Sequence, residues 1–279
     1  FMTETAAMAD IVLPATMFME HDDLYYGGGH QHISVGAKLI DPPGECRSNH
    51  EVLQGLGRRL NAMHPGFEMS PRELIDATLK KSGHGDIATL EADLWRDIQP
   101  DFRTSHYLDG FAHADKKFHF KADWANPPFG NAGLGPWAQM PSLPDHWTII
   151  EEADEAHPFR LATSPSRSFL NTSFNETPSS ITREGKPSVM MHPEDAAALG
   201  LLDSDVVTLG NVRGETNLTV KLFDGLRRGV LIAESIQPNK AHIGGRGINM
   251  LTGAETVAPV GGAAFHDNKV WVKKAAPAA

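Results

Sequence analysis

A dense run of hydroxyl, amide and guanidinium groups lies in the middle of the chain and could bind a phosphorylated ligand. The residues of this run are Thr163, Ser164, Pro165, Ser166, Arg167, Ser168, Phe169, Asn171 and Ser173. Backbone N–H groups and hydroxyls in such a loop can donate to phosphate oxygens, and an arginine adds a charge-assisted fork to a diphosphate or to a heterocycle edge. A serine-rich turn has the same composition, so both interpretations stay open.

A second candidate segment combines glycines with one amide. Gly244-Gly245-Arg246-Gly247 precedes Asn249. Glycine lets the backbone approach a ligand closely, and the Asn249 side chain could pair with a ring amide. A mobile loop without a ligand is equally compatible with these residue types.

Other chemistries find less support in the residue pattern. His30 and His32 have no carboxylate or thiol at metal-ligand spacing nearby, and the acids Glu20, Asp22 and Asp23 are typical of a solvated turn. The serines of the central run stand in no Gly-x-Ser-x-Gly elbow, and no Gly-x-x-x-x-Gly-Lys-Ser/Thr loop occurs. Hydrolase, ATP-binding and NAD-binding functions are therefore not favoured.

Composition limits the partners. The 279 residues carry a formal net charge of −10 and a single cysteine, Cys46. The charge argues against general attraction to nucleic acid, and one cysteine excludes an internal disulfide and a four-cysteine cluster within the chain. Because no apolar run approaches the ~18 residues of a membrane span, we expect no membrane insertion. We expect a cytoplasmic location, with the periplasm left open.

The elements that must position these groups change in type along the chain. Ala9–Leu13 predicts a buried strand ended by Pro14. The capping box of Ser70 and Glu73 predicts a helix that closes at Gly83. Residues 49–60 and 90–98 predict further amphipathic helices. We therefore expect an α/β region at residues 1–100.

The rest of the chain predicts a mainly β domain after an irregular connection. Scattered aromatics, prolines and glycines over 101–155 indicate a linker. Beyond it, four segments predict strands and one short helix opens at His192-Pro193: the strands are residues 159–163, 205–209, 217–223 and 230–233. Many strands with one or two helices favour a closed barrel over 156–279.

Several motifs in order resemble one family. Residues 3–14 read T-x-T-A-x-x-A-D-x-V-L-P, residues 192–200 contain P-x-D-A with a following Leu-Gly, and Asn249-Met250-Leu251-Thr252 matches N-x-L-T. Nearly the whole chain resembles the C-terminal part of the DMSO reductase superfamily of molybdenum or tungsten oxidoreductases. The resemblance implies the end of an α/β third domain, followed by a six-stranded double-psi β-barrel of the molybdopterin dinucleotide-binding type.

The resemblance also implies a cofactor, bis-molybdopterin guanine dinucleotide, and a set of contacts to it. The contact residues carried over are Thr163, Ser164, Pro165, Ser166, Arg167, Ser168, Phe169, Asn171, Ser173, Asn249, Asp267, Asn268 and Lys269. Many family members read Thr-Gly-Arg where this chain has Thr163-Ser-Pro-Ser-Arg167, so the arginine lies further along. No catalytic or metal-ligating residue is carried over.

The resemblance makes this chain the cofactor-binding portion of an enzyme for two-electron redox or oxygen-atom transfer on a small substrate. The metal ligand and the iron–sulfur cysteines of the family lie N-terminal to the matched segment, and Cys46 stands in a different context. We therefore expect a partner: the N-terminal catalytic part of the same enzyme, or a separate subunit. The alternative is a stand-alone, non-catalytic pterin-binding or assembly module.

Overall fold

The chain divides into two units, Phe1–Phe118 and His119–Ala279. The computed structural model describes residues 2–121, 123, 141–143, 151–171, 173–254, 256–257, 262–263 and 265–276. Residues 122, 124–140 and 144–150 of the linker predicted over 101–155 fall outside these ranges, so its extent stays a prediction. Within the described ranges, no helix has the length and apolar character needed to cross a membrane.

The first unit combines helices with a small antiparallel sheet. Its strands, in the order β1-β2-β3, are β1 (Asp23–Tyr26), β2 (His32–Gly36) and β3 (Arg96–Asp97). Its helices are α1 (Glu4–Ala7), α2 (Asn49–Arg59), α3 (Pro71–Lys81), α4 (Ile87–Asp93) and α5 (Phe102–Ser105). A core of Ile33, Ile75, Leu79 and Leu90 joins β2, α3 and α4.

Local capping explains where two of these helices begin. The Ser70 N–H donates to Glu73 Oε2 at 2.7 Å, and the Glu73 N–H donates back to Ser70 Oγ at 3.3 Å. Ser48 and Glu51 form the same reciprocal pair before α2. Each pair satisfies N–H groups that a helix start leaves without an internal partner. The predicted helices at 49–60 and from Ser70 are confirmed.

Two predictions in this unit were wrong in detail. The helix predicted over 90–98 ends at Asp93, because Leu94 turns to φ +68° and the following residues join the sheet as β3. The strand predicted over 9–13 is not formed: Ile11 and Leu13 are 78% and 59% exposed, respectively. A strand needs a neighbour for its backbone groups, and within the described residues the nearest β-bridge, that of Ala15 with Arg47, lies just beyond this segment.

The second unit contains a closed six-stranded barrel in the order β11-β4-β8-β5-β7-β6. Its strands are β4 (Phe159–Ser164), β5 (Ser188–Met191), β6 (Val206–Gly210), β7 (Glu215–Leu222), β8 (Val230–Glu234) and β11 (Asn268–Lys274). The pairs β4–β8 and β5–β7 are parallel, and the others are antiparallel. The predicted double-psi barrel fold is confirmed. Outside the barrel, β9 (Thr256–Val257) pairs with β10 (Gly262–Ala263).

Two helices flank β5, although the sequence predicted only the second: α6 (Pro178–Glu184) precedes the strand and α7 (Pro193–Ala198) follows it. Alternating residues of the strands fill the barrel. Leu218 and Val220 of β7 are each 2% exposed, whereas Thr219 between them is only partly buried. This confirms the period-two pattern of that strand.

Asp195 connects α7 to the turn before β8. Its carboxylate is buried and accepts the Gly229 N–H at 2.7 Å and the Arg228 Nε–H at 2.8 Å. Burial by itself raises the pKa of Asp195, but these two hydrogen bonds and the charge of Arg228 outweigh it and hold the pKa below its ordinary value. The aspartate of the P-x-D-A motif therefore holds α7 to the turn before β8, at the barrel end opposite the loop that follows β4.

We expect Asp195→Ala to lower the free energy of unfolding by about 2–3 kcal/mol, because it leaves the Gly229 N–H and Arg228 without their buried acceptor. Glu194→Ala is the matched control: Glu194 contacts the same guanidinium at 3.0 Å but is exposed, so its loss should cost less than about 1 kcal/mol. Urea denaturation measures both. Because the pKa of Asp195 is lowered in the folded protein, its contribution to the free energy of unfolding is complete above the unfolded-state pKa of about 4. That contribution declines as the pH falls below this value. Equal losses in the two variants would contradict this role.

Candidate functional site

Strand directions bring several loops to one end of the barrel. Since β4 and β8 are parallel, their last residues, Ser164 and Glu234, lie side by side. Because β11 is antiparallel to both β4 and β6, its first residues lie where those two strands end. The loop after β4 (165–177), the segment after β8 (235–251) and the turn before β11 (265–267) therefore share this end, which we call the loop end.

Thr163 joins two of the predicted segments directly. Its hydroxyl lies 3.3 Å from the Phe265 carbonyl oxygen and 3.2 Å from His266 Nδ1, across 102 and 103 residues of sequence. The rings of Phe265 and His266 are in contact at 4.3 Å between centroids. The predicted contact residues on either side of this junction, 163–169 and 267–269, are thus brought together.

Within the loop after β4, several predicted residues hold the loop itself. Ser166 is buried and its Oγ accepts the Phe169 N–H at 3.1 Å. The ring of Phe169 is buried, and the Ser168 N–H donates to Glu184 Oε1 at 2.5 Å. These contacts shape the loop, and they leave its outer groups available.

The loop tip is a tight turn. Leu170 and Ser173 exchange two backbone hydrogen bonds of 3.1 and 2.9 Å around Asn171, which adopts φ +52°. Thr172 lies outside the described residues. The left-handed conformation is one that asparagine tolerates better than most residues, so Asn171 has a local reason to be there.

Three predicted residues have polar groups exposed to solvent or engaged only weakly. Arg167 and Asn249 are exposed, and within the described part of the chain neither side chain has a hydrogen bond or an ion pair. The Ser164 hydroxyl reaches only the Pro165 carbonyl at 3.5 Å, while Pro165 itself is exposed. Arg167 and Asn249 can therefore bind a ligand without first breaking an internal contact.

The predicted residues before and in β11 are, in contrast, engaged internally. Asn268 is buried, accepts from Arg213 Nη2 at 3.3 Å and donates to the Phe265 carbonyl at 3.1 Å. Lys269 Nζ donates to Asp154 at 2.7 Å. Asp267 adopts φ +60° and lies 3.6 Å from Arg160 Nε. Asn268 and Lys269 thus hold the loop end together.

Arg213, on the turn between β6 and β7, connects several segments of the loop end by hydrogen bonds. It was not among the predicted residues. It donates to both carboxylate oxygens of Glu151, at 2.6 and 3.0 Å, and through Nε to the Leu251 carbonyl at 2.8 Å. Leu251 ends the 3₁₀ turn Ile248–Leu251 that carries Asn249. Arg213 therefore ties the Asn249 turn to β11, since it also contacts Asn268.

Glu151 is held ionised by this contact. Arg213 donates to its carboxylate and lowers its pKa below the ordinary value, against partial burial, with help from the Lys269 N–H at 3.0 Å. The pKa of Asp154 falls further, to about 2, chiefly through Lys269 and then through the His157 N–H at 2.7 Å. Two acids just before β4 therefore hold the first residues of β11.

Ser235 at the loop end combines backbone strain with an unused polar atom. It adopts φ +71°, its N–H donates to the Ser164 carbonyl at 2.7 Å, and it is 6% exposed. Its hydroxyl has no hydrogen-bond partner among the described residues, which costs free energy in a buried site. Strained residues with unsatisfied groups cluster at ligand sites, so Ser235 makes the end of the β4–β8 pair a candidate site.

The sequence contains a local signal for only some of the residues that were missing from the prediction. Proline at the start of α6 and Gly185 after its end are helix-boundary residues, so α6 and its Arg183 could have been recognised. For Glu151 no local signal exists, because its role depends on Arg213, 62 residues away.

Two family models match the chain. The model described as "Molydopterin dinucleotide binding domain" matches residues 159–269, and the model described as "Molybdopterin oxidoreductase" matches residues 1–59. The first match covers the barrel from β4 to the start of β11. It therefore includes every predicted contact residue.

The chain is also similar to longer curated proteins. It is 28% identical to the Bacillus subtilis protein named "Probable oxidoreductase YoaE", over 98% of this chain and 39% of the relative. It is 27% identical to the dimethyl sulfoxide/trimethylamine N-oxide reductase of Rhodobacter capsulatus, over 82% of this chain and 30% of the relative. The chain thus spans about two fifths or less of these relatives.

One solved structure shares the fold over almost the whole chain. Acetylene hydratase from Pelobacter acetylenicus aligns with a TM-score of 0.76, covering 99% of this chain and 39% of that one. The sequence identity is 16%, so this likeness supports the fold alone.

We expect Lys269→Met to raise the pKa of Asp154 from about 2 toward 3.8. The variant removes the largest cause of the lowered pKa, which is the hydrogen bond from Lys269, while the His157 N–H remains. Carboxyl carbon NMR across a pH titration measures the shift. Lys273→Met is the control, since Lys273 lies 4.4 Å over the Trp271 ring and pairs with no carboxylate in the described part of the chain. Because the pKa is lowered, this ion pair is complete above pH about 4 and is lost as the pH falls through about 2. An unchanged Asp154 titration in Lys269→Met would refute the assignment.

Proposed function

From the premise that this chain corresponds to the C-terminal part of the molybdopterin oxidoreductases of the DMSO reductase superfamily, we propose that it is the cofactor-binding portion of such an enzyme. The cofactor is bis-molybdopterin guanine dinucleotide with molybdenum or tungsten. The reaction is a two-electron oxidation or reduction, or an oxygen-atom transfer, on a small substrate.

The observation that carries the proposal is the convergence of the predicted contact segments at the loop end. Thr163 reaches Phe265 and His266, and Arg213 joins Asn268 to the turn that holds Asn249. Residues 163–173, 249 and 267–269 come from three distant stretches of sequence. Their arrangement around one barrel end supports a shared ligand that is larger than any one loop.

The donors at this end fit a pterin dinucleotide. Arg167 offers a guanidinium for phosphate oxygens, and Asn249 offers both an amide donor and an acceptor for the edge of a heterocycle. The buried Ser235 hydroxyl lacks a partner among the described residues. The set is rich in hydrogen-bonding groups and includes the exposed guanidinium of Arg167, which suits a polar, anionic ligand with ring amides.

The bound cofactor supplies the redox chemistry, and this chain supplies binding, orientation and coverage. Arg213, Glu151 and Lys269 hold the loops in place, while Arg167 and Asn249 face outward to the ligand. With Cys46 as its single cysteine, the chain cannot provide a four-cysteine cluster. We propose that the metal ligand, and any iron–sulfur cluster, come from the N-terminal part of the enzyme or from a partner subunit.

Purification of the native complex with this chain as bait tests the proposal. Intact mass identifies the polypeptide that carries the chain and any partner, and molybdenum, tungsten, iron and extracted pterin are quantified together. We expect a longer polypeptide or a tight partner, with guanine-linked pterin and one of the two metals. A 279-residue chain that is isolated, metal-free and pterin-free would overturn the enzyme proposal and favour the stand-alone module.

In the same complex, we expect Asn249→Ala to weaken cofactor retention by about 3- to 10-fold, the equivalent of one lost hydrogen bond to the ligand. Pterin released in a dilution series measures the retention. Since Asn249 is exposed and its side chain makes no hydrogen bond or ion pair in the described part of the chain, the unfolding curve should not change. Unaltered retention in a correctly folded variant would remove Asn249 from the contact set.

A further inference from the structure

Helix α2 packs on the rest of the first unit through polar residues and leaves its leucines at the surface. His50 Nε2 lies 2.8 Å from the Met69 carbonyl oxygen, and Gln54 Nε2 donates to the same oxygen at 2.7 Å. Three leucines on another side of the helix are 56%, 47% and 76% exposed: Leu53, Leu56 and Leu60. Because a helix in a folded protein normally turns its apolar side toward a core, these leucines indicate a surface that is still to be covered.

The segment before Pro14 is also apolar, and its backbone is unpaired. Ile11, Val12 and Leu13 are all exposed. Within the described residues, the N–H and carbonyl groups of residues 10–13 form no hydrogen bond. A continuous apolar run of this kind is typical of a strand that is buried on both faces. The segment therefore has the composition of a buried strand and lacks a strand to pair with in the described part of the chain.

A cleft of about 350 Å³ lies between this segment and α2. Val12 and Leu13 line one wall, and Val52 and Leu56 line the other. Leu53 and Leu60 lie about one turn to either side of Leu56 on the helix. These residues form one apolar area, which we call the uncovered face; its members are Ile11, Val12, Leu13, Val52, Leu53, Leu56 and Leu60. Large exposed apolar areas mark sites of protein association.

The comparisons and the charge favour a further part of the enzyme over a second copy of this chain as the occupant of the uncovered face. Six of the seven members lie within residues 1–59, which match the model described as "Molybdopterin oxidoreductase". The chain covers 39% of the Bacillus subtilis relative and 30% of the Rhodobacter capsulatus one, so both relatives have protein outside the matched segment. A second copy also carries a net charge of −10, and repulsion between like charges opposes self-association.

We propose that the uncovered face is the docking surface for the remaining part of the enzyme. That part contributes an apolar strand, which pairs with the backbone of residues 10–13, and apolar side chains, which cover the three leucines of α2. This inference rests on the proposed function for the identity of the occupant, while the face itself rests on the geometry. It gives a reason for the wrong strand prediction at residues 9–13, since the segment forms a strand only when the occupant is present.

Photo-crosslinking in the purified native complex tests the proposal. A benzophenone amino acid replaces Leu56 in one preparation and Leu202 in the control. Leu202 is 70% exposed, within the range of the α2 leucines, but it lies in the second unit and outside the uncovered face. We expect crosslinks from position 56 to reach apolar peptides outside residues 1–279, identified by mass, and crosslinks from position 202 to miss those peptides.

The same experiment distinguishes the other occupants. Crosslinks from position 56 to residues 1–279 of a second copy would show self-association. Absence of any crosslink from position 56 to another peptide would show a surface that stays free in the complex. Either result would overturn the assignment.

Hydrogen exchange tests the strand pairing. We expect the amides of residues 10–13 to exchange about 100-fold more slowly in the native complex than in the isolated 279-residue chain, because only the complex supplies their hydrogen-bond partners. Mass spectrometry of peptides that span these residues measures both rates. Equal rates in the complex and in the isolated chain would show that no strand is added.

We expect Leu56→Asp to abolish this protection in the complex, because a carboxylate without a partner is costly to bury among apolar side chains. Leu202→Asp is the matched control and should keep the protection. Since Leu56 is already half-exposed, the urea unfolding curve of the 279-residue chain should not change in Leu56→Asp. Retained protection in the complex, or a lower unfolding midpoint of the isolated chain, would contradict a docking role for Leu56.

The purified complex separates failure of this inference from failure of the proposed function. If the complex contains guanine-linked pterin, but position 56 reaches nothing outside residues 1–279, the docking assignment is wrong and the cofactor proposal stands. If position 56 reaches the remaining polypeptide, but the complex contains neither pterin nor molybdenum or tungsten, the cofactor proposal fails and the docking surface remains.

Discussion

Closure of the barrel by β11 is the interaction on which the rest of the second unit depends. This strand pairs with β4 through Asn268 and Leu161 and with β6 through Trp271 and Gly210. Closure pairs the backbone of six strands with no open edge and seals the apolar interior. Gly210 permits it, because a Cβ at that position would overlap the Trp271 ring. Without β11, the turn before it could not meet Thr163, and the loop end would not exist as one surface.

Polar side chains at the loop end fall into two groups by what they touch. Arg213 and Asn268 are saturated by internal contacts, so they transmit the position of the strands to the loops. Arg167, Arg183 and Asn249 are exposed and have no internal partner in the described part of the chain. A preorganised site needs both groups, since a free donor orients a ligand only when its backbone is held. The internal contacts of the first group hold the backbone in place, and the side chains of the second group stay available to a ligand.

Charge in this chain is organised locally. The total of −10 disfavours general binding of anionic partners, yet several acids around the barrel are paired with cations: Glu151 with Arg213, Asp154 with Lys269, and Asp195 with Arg228. The cleft between α6 and the loop after β4, which Arg167, Arg183 and Glu184 line, keeps a local positive excess in a chain whose net charge is negative. Such an arrangement favours one anionic ligand at a defined place over general binding of polyanions.

Much of the fold was predictable because its signals are local. Capping boxes at Ser48 and Ser70 and the alternation along β7 depend on residues a few positions apart, and the ordered motifs predicted the double-psi barrel. The apolar run at residues 9–13 shows the limit of such signals, since a strand also needs a neighbouring backbone that no local pattern supplies. The short strand β5 was also missed, and so was α6, although the proline and glycine at its two ends are local signals.

The sequence by itself determined the types of group available at the candidate site: the serine-rich loop with Arg167, the amide of Asn249 and the polar turn before β11. Only the tertiary structure decided which of them stay free to bind. Lys269 and Asn268 look like ligand contacts in the sequence, but Asp154 and Arg213 engage them, whereas Arg183 acquires its place because α6 folds against the loop that follows β4. The physical reason is that hydrogen bonds and ion pairs between residues some 50 to 120 positions apart depend on barrel closure, which no local pattern of residues specifies.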